Sequence, residues 1–316
     1  MMPQISVCIP TYNRKTLLSS AIQSVLQQTH QDLEIIVCDD GSTDDTPALI
    51  AQFQESRIRY IRHPENIGKS NNMRSGFEAA IGEYFIKFDD DDRLTPDFLA
   101  QTVSVLQRCP EVDFVGTNHW IIDINNDRNV HATELNSQRW GRTDLAAGII
   151  EPLLPVVFVQ QSLQIGATLF RRQALLDVGY MRPDMQNCED NDLFVRLALA
   201  GKKAYYLPDR LMEYRVHAEQ QGIHRAVPYL QDKIRYLESF QFDSDELERI
   251  RRFRLAESKL LLGLRLIELG DIQDGQALVH AGKAVSPIKA WTGLGLSWLP
   301  QTWRKQVFQR LRQIKS

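Results

Sequence analysis

The chain opens on a short apolar, β-branched run, Ile5-Ser6-Val7-Cys8-Ile9-Pro10, which predicts a buried strand stopped by proline. The turn Thr11-Tyr12-Asn13-Arg14 follows, and Leu17, Leu18, Ala21, Ile22, Val25 and Leu26 then recur at helical spacing. The alternation repeats. Leu33-Glu34-Ile35-Ile36-Val37-Cys38 reads as a second strand running into Asp39-Asp40-Gly41-Ser42, and Leu49, Ile50 and Phe53 mark a second helix. Ile58-Arg59-Tyr60-Ile61 is a third strand, ending in His63-Pro64-Glu65-Asn66-Ile67-Gly68. A helix through Ala79-Ala80 leads to a fourth, Tyr84-Phe85-Ile86-Lys87-Phe88. Strand alternating with helix four times predicts an α/β fold with a parallel sheet and right-handed crossovers. The polar, glycine-bearing loops then gather at one edge, where folds of this kind bind their ligands.

The fourth strand ends on four aspartates, Asp89-Asp90-Asp91-Asp92. Standing alone, such a run reads equally as a solvated acidic turn. At a strand end it gains another meaning. Ionised carboxylates are oxygen ligands suited to Mg2+ or Mn2+, which bind few protein groups and keep positions for substrate phosphates. Farther along, Glu189-Asp190 precede Leu193, Phe194, Leu197 and Ala198 at helical spacing, which sets Asp190 at or near a helix N-terminus. Acidic residues are favoured there in any protein, so a capping role is the plain alternative.

From about Tyr229 the pattern becomes helical, which suggests a division into 1–228 and a helical extension, 229–316. Residues 234–240 and 246–269 have helical periodicity, Gly270-Asp271 reads as a stop, and 276–285 reads as a partner helix. The stretch 275–316 holds no Asp or Glu but carries Lys283, Lys289, Arg304, Lys305, Arg310, Arg312 and Lys315. Trp291, Trp298, Trp303, Leu294, Leu299, Phe308 and Leu311 interleave with these cations. That mixture suits an interfacial helix on an anionic membrane surface, the alternative being a helix packed on this chain or a second subunit.

Composition narrows the class. With 316 residues, a net charge of −3 and 43% hydrophobic content, the chain reads as a globular protein without a nucleic-acid signature. Met1-Met2-Pro3-Gln4 leads straight into a strand rather than a secretory signal, and no apolar run approaches bilayer-spanning length. The expectation is a cytoplasmic protein, with the tail offering peripheral attachment to the inner face of the membrane. Cys8, Cys38, Cys109 and Cys188 lack metal-site spacing, and Cys8 and Cys38 read as buried small hydrophobes in core strands.

Taken together, the ordered motifs carry a resemblance. Pro10-Thr11-Tyr12-Asn13, Asp39-Asp40-Gly41-Ser42-Thr43-Asp44, Asn66-x-Gly68, Gly82-Glu83-Tyr84 and Asp89-x-Asp91-Asp92 come first, followed by Cys188-Glu189-Asp190-Asn191-Asp192-Leu193 and Tyr214-Arg215-Val216-His217. This order resembles that of the inverting nucleotide-sugar glycosyltransferases of family 2, over about the first two-thirds of the chain. The resemblance implies a GT-A domain with a mostly parallel central sheet. It also implies transfer of a sugar from a nucleotide donor, UDP by expectation, to a hydroxyl acceptor with inversion. A glycan or lipid-linked acceptor in cell-envelope, capsular or exopolysaccharide synthesis is expected. The runner-up is an inactive nucleotide-sugar-binding scaffold, against which the joint presence of the acidic turn and Asp190 argues.

Residue by residue, the resemblance gives Pro10, Thr11, Tyr12, Asn13 and Asp40 to the nucleotide, with Asp40 accepting the imide hydrogen of uracil. Lys69 is the expected diphosphate contact; Arg74 is displaced by one position from the family arginine and is not expected to face the donor. Asp91 is the main ligand of Mn2+ or Mg2+, with His217 approaching the metal or diphosphate. Asp89 and Asp90 belong to the donor side, Asp89 toward the ribose and Asp90, with Asp92, orienting the turn; a slip of one position remains open. Asp190 is the base that takes the proton of the attacking hydroxyl, and one carboxylate suffices for that. Glu189 and Trp120 are acceptor contacts, the latter from an irregular stretch, 120–164. A processive synthase would carry a Gln-x-x-Arg-Trp element after the base, whereas Gln138-Arg139-Trp140 has the wrong spacing and precedes Asp190.

Overall fold

A computed structural model describes residues 3–217 and 226–313. The chain divides into two compact units, Met1–Ala218 and Glu219–Ser316, the division falling a little before the expected one. In the first unit β1 (Ile5–Thr11), α1 (Lys15–Leu26), β2 (Leu33–Asp39), α2 (Thr46–Gln52), β3 (Ile58–Arg62), α3 (Lys69–Ala79) and β4 (Tyr84–Lys87) realise the expected alternation. After them come β5 (Arg93–Leu94), α4 (Phe98–Arg108), β6 (Phe114–Ile122), α5 (Val130–Arg139), β7 (Gly148–Ile149) and a short α6 (Leu153–Pro155). The unit closes with β8 (Thr168–Arg171), α7 (Arg172–Asp177), α8 (Glu189–Leu199) and β9 (Ala204–Arg215).

These strands form one sheet in the order β3-β2-β1-β4-β8-β6-β9-β5, with β7 also on β9. The first four pair in parallel. Beyond β4 the sheet is mixed: β8 runs antiparallel to both β4 and β6, and β9 runs parallel to β6. Two reversals restore direction, so β6 and β9 point the same way as β4. The carboxyl ends of β1, β2, β4, β6 and β9 therefore share one edge of the sheet.

The pattern of burial follows from coverage. Every residue of β1 and β2 is buried. On one face Ile5, Val7, Ile9, Ile35 and Val37 pack against Leu18, Ala21, Ile22 and Val25 of α1. On the other, Cys8 and Cys38 lie under α3, their sulfurs 3.9 Å apart and unbridged. A Cβ at Gly76 would come within 2.3 Å of Cys8 Sγ, so only glycine lets α3 settle on this pair. The edge strand β3 is merely half-covered, and its residues alternate between part-buried and exposed.

The second unit contains α9 (Ala226–Glu238), α10 (Asp245–Leu269), α11 (Ile272–Gly282), α12 (Pro287–Leu296) and α13 (Gln301–Gln313). The Ser244 side chain caps α10, whose first turn holds Asp245, Glu246 and Glu248, and Gly270 at φ 122° ends the helix. The tail expected as an interfacial helix is two helices, and their inner face belongs to a core. Ala290 and Phe308 pack with Leu260, Ile267 and Val279. Among the described residues no helix is long and apolar enough to cross a membrane.

Candidate active site

The ends of β1, β2, β4 and β9 and the starts of α3 and α8 build the site. At the end of β1, Asn13 adopts φ 54° and its side chain accepts from the backbone N–H of Thr43 and Asp44, while its own N–H donates to Ser42 Oγ. Asn13 thus ties the first loop to the second. Asp39 is spent inside the fold: it accepts from Ser42 N at 2.8 Å and from the Tyr60 hydroxyl. Asp40 accepts from Ile67 N at 2.7 Å, which fixes the 63–68 loop. Its other oxygen takes no bond among the described residues. Thr11 donates to Asp90 Oδ2 at 2.7 Å, and Tyr12 stands exposed beside it. Pro10 is buried in the strand.

The four aspartates turn in different directions. Lys87, the last residue of β4 and almost wholly buried, donates to Asp89 Oδ1 at 2.6 Å. Burial alone would raise the Asp89 carboxyl, but Lys87 and Lys69 outweigh it and hold it below its ordinary value. Asp90 is pushed up to about 6 by burial, against the pull of Arg14. Asp91 Oδ2 lies 3.0 Å from Arg14 Nη1 and 3.0 Å from His217 Nε2. Asp92 turns inward, accepts from Arg215 N at 2.8 Å, and is raised by burial and by Asp91. Asp91, not Asp92, is therefore the aspartate that meets His217.

Asp190 comes from the far side. Its helix α8 starts at Glu189, after Cys188 in a left-handed conformation at φ 61°. The preceding loop is clamped by three donors. Arg74 donates to Gly179 O and Met181 O, Arg196 to Val178 O and Tyr180 O, and Ser70 Oγ to Met185 O. Arg74 thus holds the loop that delivers Asp190, a role its displaced position in the sequence did not announce. Burial raises Asp190 to about 6, opposed by Lys87 and reinforced by Glu189, and its Oδ1 has no hydrogen-bond partner. Lys69 forms an ion pair with Glu189, so the expected diphosphate contact is joined to the expected acceptor contact. Burial would lower Lys87, but Asp190, Asp89 and Glu189 surround it and keep it protonated.

The structure thus brings Thr11, Asp89, Asp90, Asp91, Asp190, Glu189, Lys69 and His217 to one sheet edge. Trp120 is engaged by cations: the guanidinium groups of Arg128 and Arg210 lie 4.8 and 4.6 Å from its ring centroid. Two contributors escaped the sequence reading, Arg14 and Lys87. Arg14 was legible only as a turn residue, and Lys87 only as one polar position inside an apolar strand. For Lys87 that interruption was the signal, because lysine is almost never buried unless paired. No group of three or more metal-binding side chains gathers among the described residues. The donor set still fits Mg2+ or Mn2+, which commonly take one or two carboxylates and complete their shell with water and substrate phosphates. Asp91 Oδ2 already attracts two cationic or nitrogen groups, and His217 supplies a nitrogen beside it.

Comparison with known proteins decides the family. Residues 6–163 match the model of Glycosyl transferase family 2. The chain belongs to that family. An uncharacterized glycosyltransferase of Nostoc sp. is 34% identical over 68% of this chain and 65% of its own length. The GalNAc(5)-diNAcBac-PP-undecaprenol beta-1,3-glucosyltransferase of Campylobacter jejuni is 43% identical over 96 residues, 29% of this chain and 31% of that protein. The chain therefore spans two-thirds or less of these relatives. Among solved structures, TarS of S. aureus with UDP-GlcNAc superposes with a TM-score of 0.66 at 16% identity, over 97% of this chain and 92% of TarS. A mannosyltransferase from Pyrobaculum calidifontis with GDP-Man and Mn2+ gives 0.59 at 20% identity, over 100% and 87%. At such identities the likeness establishes the fold, an α/β GT-A-type domain followed by helices.

Proposed function

We propose that this family 2 glycosyltransferase moves a hexosyl group from a UDP-sugar to a hydroxyl acceptor with inversion, and that Asp190 is its general base. The observation that carries the reading is the state of Asp190. It is a carboxylate with an unpartnered oxygen, close enough to Lys87 and Asp89 to feel both charges, at the sheet edge that also carries Asp91 and His217. A base needs a free lone pair and a pKa near the working pH, and a carboxylate raised by burial to about 6 has both. Backside attack on the anomeric carbon needs a single such group, because the leaving diphosphate departs without a covalent enzyme intermediate.

The donor assignments follow the same economy. Tyr12 offers an exposed ring for the base, and the unused oxygen of Asp40 suits the imide hydrogen of uracil. Lys69, half-exposed, is placed to exchange its Glu189 partner for the diphosphate. Asp91 and His217 would hold Mn2+ or Mg2+, which supplies neutralisation of the charge developing on the leaving diphosphate. Arg14, now on Asp90 and Asp91, stands beside the metal ligand, where its guanidinium would meet a phosphate. A lipid-linked acceptor in envelope glycan synthesis is supported by the undecaprenol-linked acceptor in the name of the Campylobacter relative and by the tryptophan-rich, basic C-terminal surface. The cytoplasmic membrane face is the corresponding location.

A thermal-shift panel tests the donor. UDP-sugars should raise the unfolding temperature in the presence of Mn2+ and lose most of that effect in chelator, since ligand binding to the native state stabilises by mass action. Stabilisation by GDP-sugars alone, or by no nucleotide sugar, contradicts the assignment.

A further inference from the structure

The helical unit carries a surface that glycosyl transfer does not use. In α12 the buried side chains are Ala290 and, just past its end, Ser297, with Gly293 on the same face against Leu264. On the other side Ile288, Trp291, Gly295 and Trp298 follow one another three or four residues apart. This is the spacing of a single helical stripe, and the backbone stays helical through Ser297. Their exposure is extreme for such side chains: 82% for Ile288, 66% for Trp291 and 86% for Trp298. A Cβ at Gly295 would meet nothing within 4 Å, so among the described residues the stripe has no neighbour there. On α13 the buried Arg304 and Phe308 define the inner face, and Trp303, 66% exposed, points away from it near exposed Arg310.

Charge says what could cover this surface. Beyond Asp274 the chain has no acidic residue, although the whole chain carries −3. Lys289 of α12 and Lys305 and Arg310 of α13 are all exposed. A second copy of this chain would bring the same cations face to face. An acidic protein would answer the charge but gives no reason for tryptophans standing out in water. A bilayer interface answers both, since indole rings favour the headgroup level and lysine and arginine reach anionic phosphates from beside it.

We propose that α12 and α13 form an interfacial docking surface for anionic phospholipid, with Ile288, Trp291, Trp298 and Trp303 entering the headgroup region and Lys289, Lys305 and Arg310 meeting the phosphates. The inner face of the same helices stays in the core of its own unit, so docking requires no unfolding. Deleting residues 286–316 would expose Leu260, Ile267 and Val279, which makes point substitutions the cleaner probe.

The full chain should co-sediment with phosphatidylcholine vesicles containing about one-third phosphatidylglycerol and bind far less to pure phosphatidylcholine, each cation near the surface being worth about fivefold. Its tryptophan emission should shift to the blue on binding. Trp291→Ser with Trp298→Ser should weaken binding about tenfold or more, and Lys305→Gln with Arg310→Gln about tenfold or more. Both variants should unfold at the wild-type temperature and keep wild-type donor hydrolysis, which separates this test from that of the catalytic reading. High salt should release the protein. Absence of vesicle binding, or equal binding to neutral and anionic vesicles, overturns the proposal. So does a concentration-dependent dimer that the tryptophan substitutions dissociate, which would assign the stripe to a second copy.

Discussion

The acidic edge of the catalytic unit and the outer stripe of the helical unit handle charge in opposite ways. At the edge, the carboxylates of the turn are buried or half-buried and each is met by something. Asp89 has Lys87, Asp90 has Thr11 and Arg14, Asp91 has Arg14 and His217, and Asp92 has the backbone of Arg215. On the stripe, tryptophans are exposed and nearby lysines have no carboxylate beyond Asp274 to pair with. Burying a charge costs several kcal/mol unless it is compensated, so a group left uncompensated in a buried site marks the place where something arrives. At the edge two carboxylate oxygens are left so, Asp92 Oδ2 on the inward-turned aspartate and Asp190 Oδ1 at the start of α8. On the stripe it is apolar surface, which points to a partner that is itself apolar and anionic.

The sharpest way to break the comparison is to neutralise Asp190. Asp190→Asn keeps the size of the side chain but cannot accept a proton, so turnover should fall by about 10²–10⁴-fold while nucleotide-sugar binding persists. Steady-state transfer rates beside donor titrations would check this, and a variant with near wild-type turnover would leave the reaction without its base.

A smaller effect separates neighbours within the acidic turn. Asp91→Asn should lower divalent-dependent donor binding and turnover together by at least about tenfold, a loss typical even of residues one step removed from a metal. Asp92→Asn should retain metal response, because Asp92 faces Arg215 N, and should appear instead in the unfolding temperature. Metal titrations of donor binding in both variants would sharpen the register; equal losses at the two positions would erase it.

The mildest effect is one of pH. The base must be ionised to work, so transfer should rise about tenfold per pH unit below the Asp190 value of about 6 and level off above it. Lys87 favours the ionised form from inside the fold. Lys87→Met removes that charge, makes the carboxylate harder to ionise, and should move the midpoint upward by about a unit or more. A pH–rate profile with an unmoved midpoint would show that Lys87 serves Asp89 alone.

Much of this was legible in the chain. The β-branched runs and their helical intervals specified β1 through β4 and the edge where their loops meet, because strand alternating with helix restricts the strands to parallel pairs with right-handed crossovers. Cys8 and Cys38 lie in the core as small hydrophobes, and Gly270 stops its helix. The return of β6 and β9 to the same direction was not legible, because it depends on β8 running antiparallel between β4 and β6, a pairing set across the fold. Direction could not be read from side-chain pattern there. The stretch expected to be irregular holds α5 and the short α6, whose weak periodicity hides them. Lys87 was hidden for the opposite reason: a charged residue inside an apolar strand looks like an exposed position until its carboxylate neighbours are in view. In α12 and α13 the apolar and basic residues were evident, but which of them face inward depends on where α10 and α11 lie.

The central claim is inversion by a single base, and the anomeric configuration of the first product tests it most directly. Nuclear magnetic resonance of the product formed from an anomerically defined UDP-sugar, read before any equilibration, should show the configuration opposite to that of the donor. A product that retains the donor's configuration would require a second displacement and a nucleophile, and would contradict the role given to Asp190.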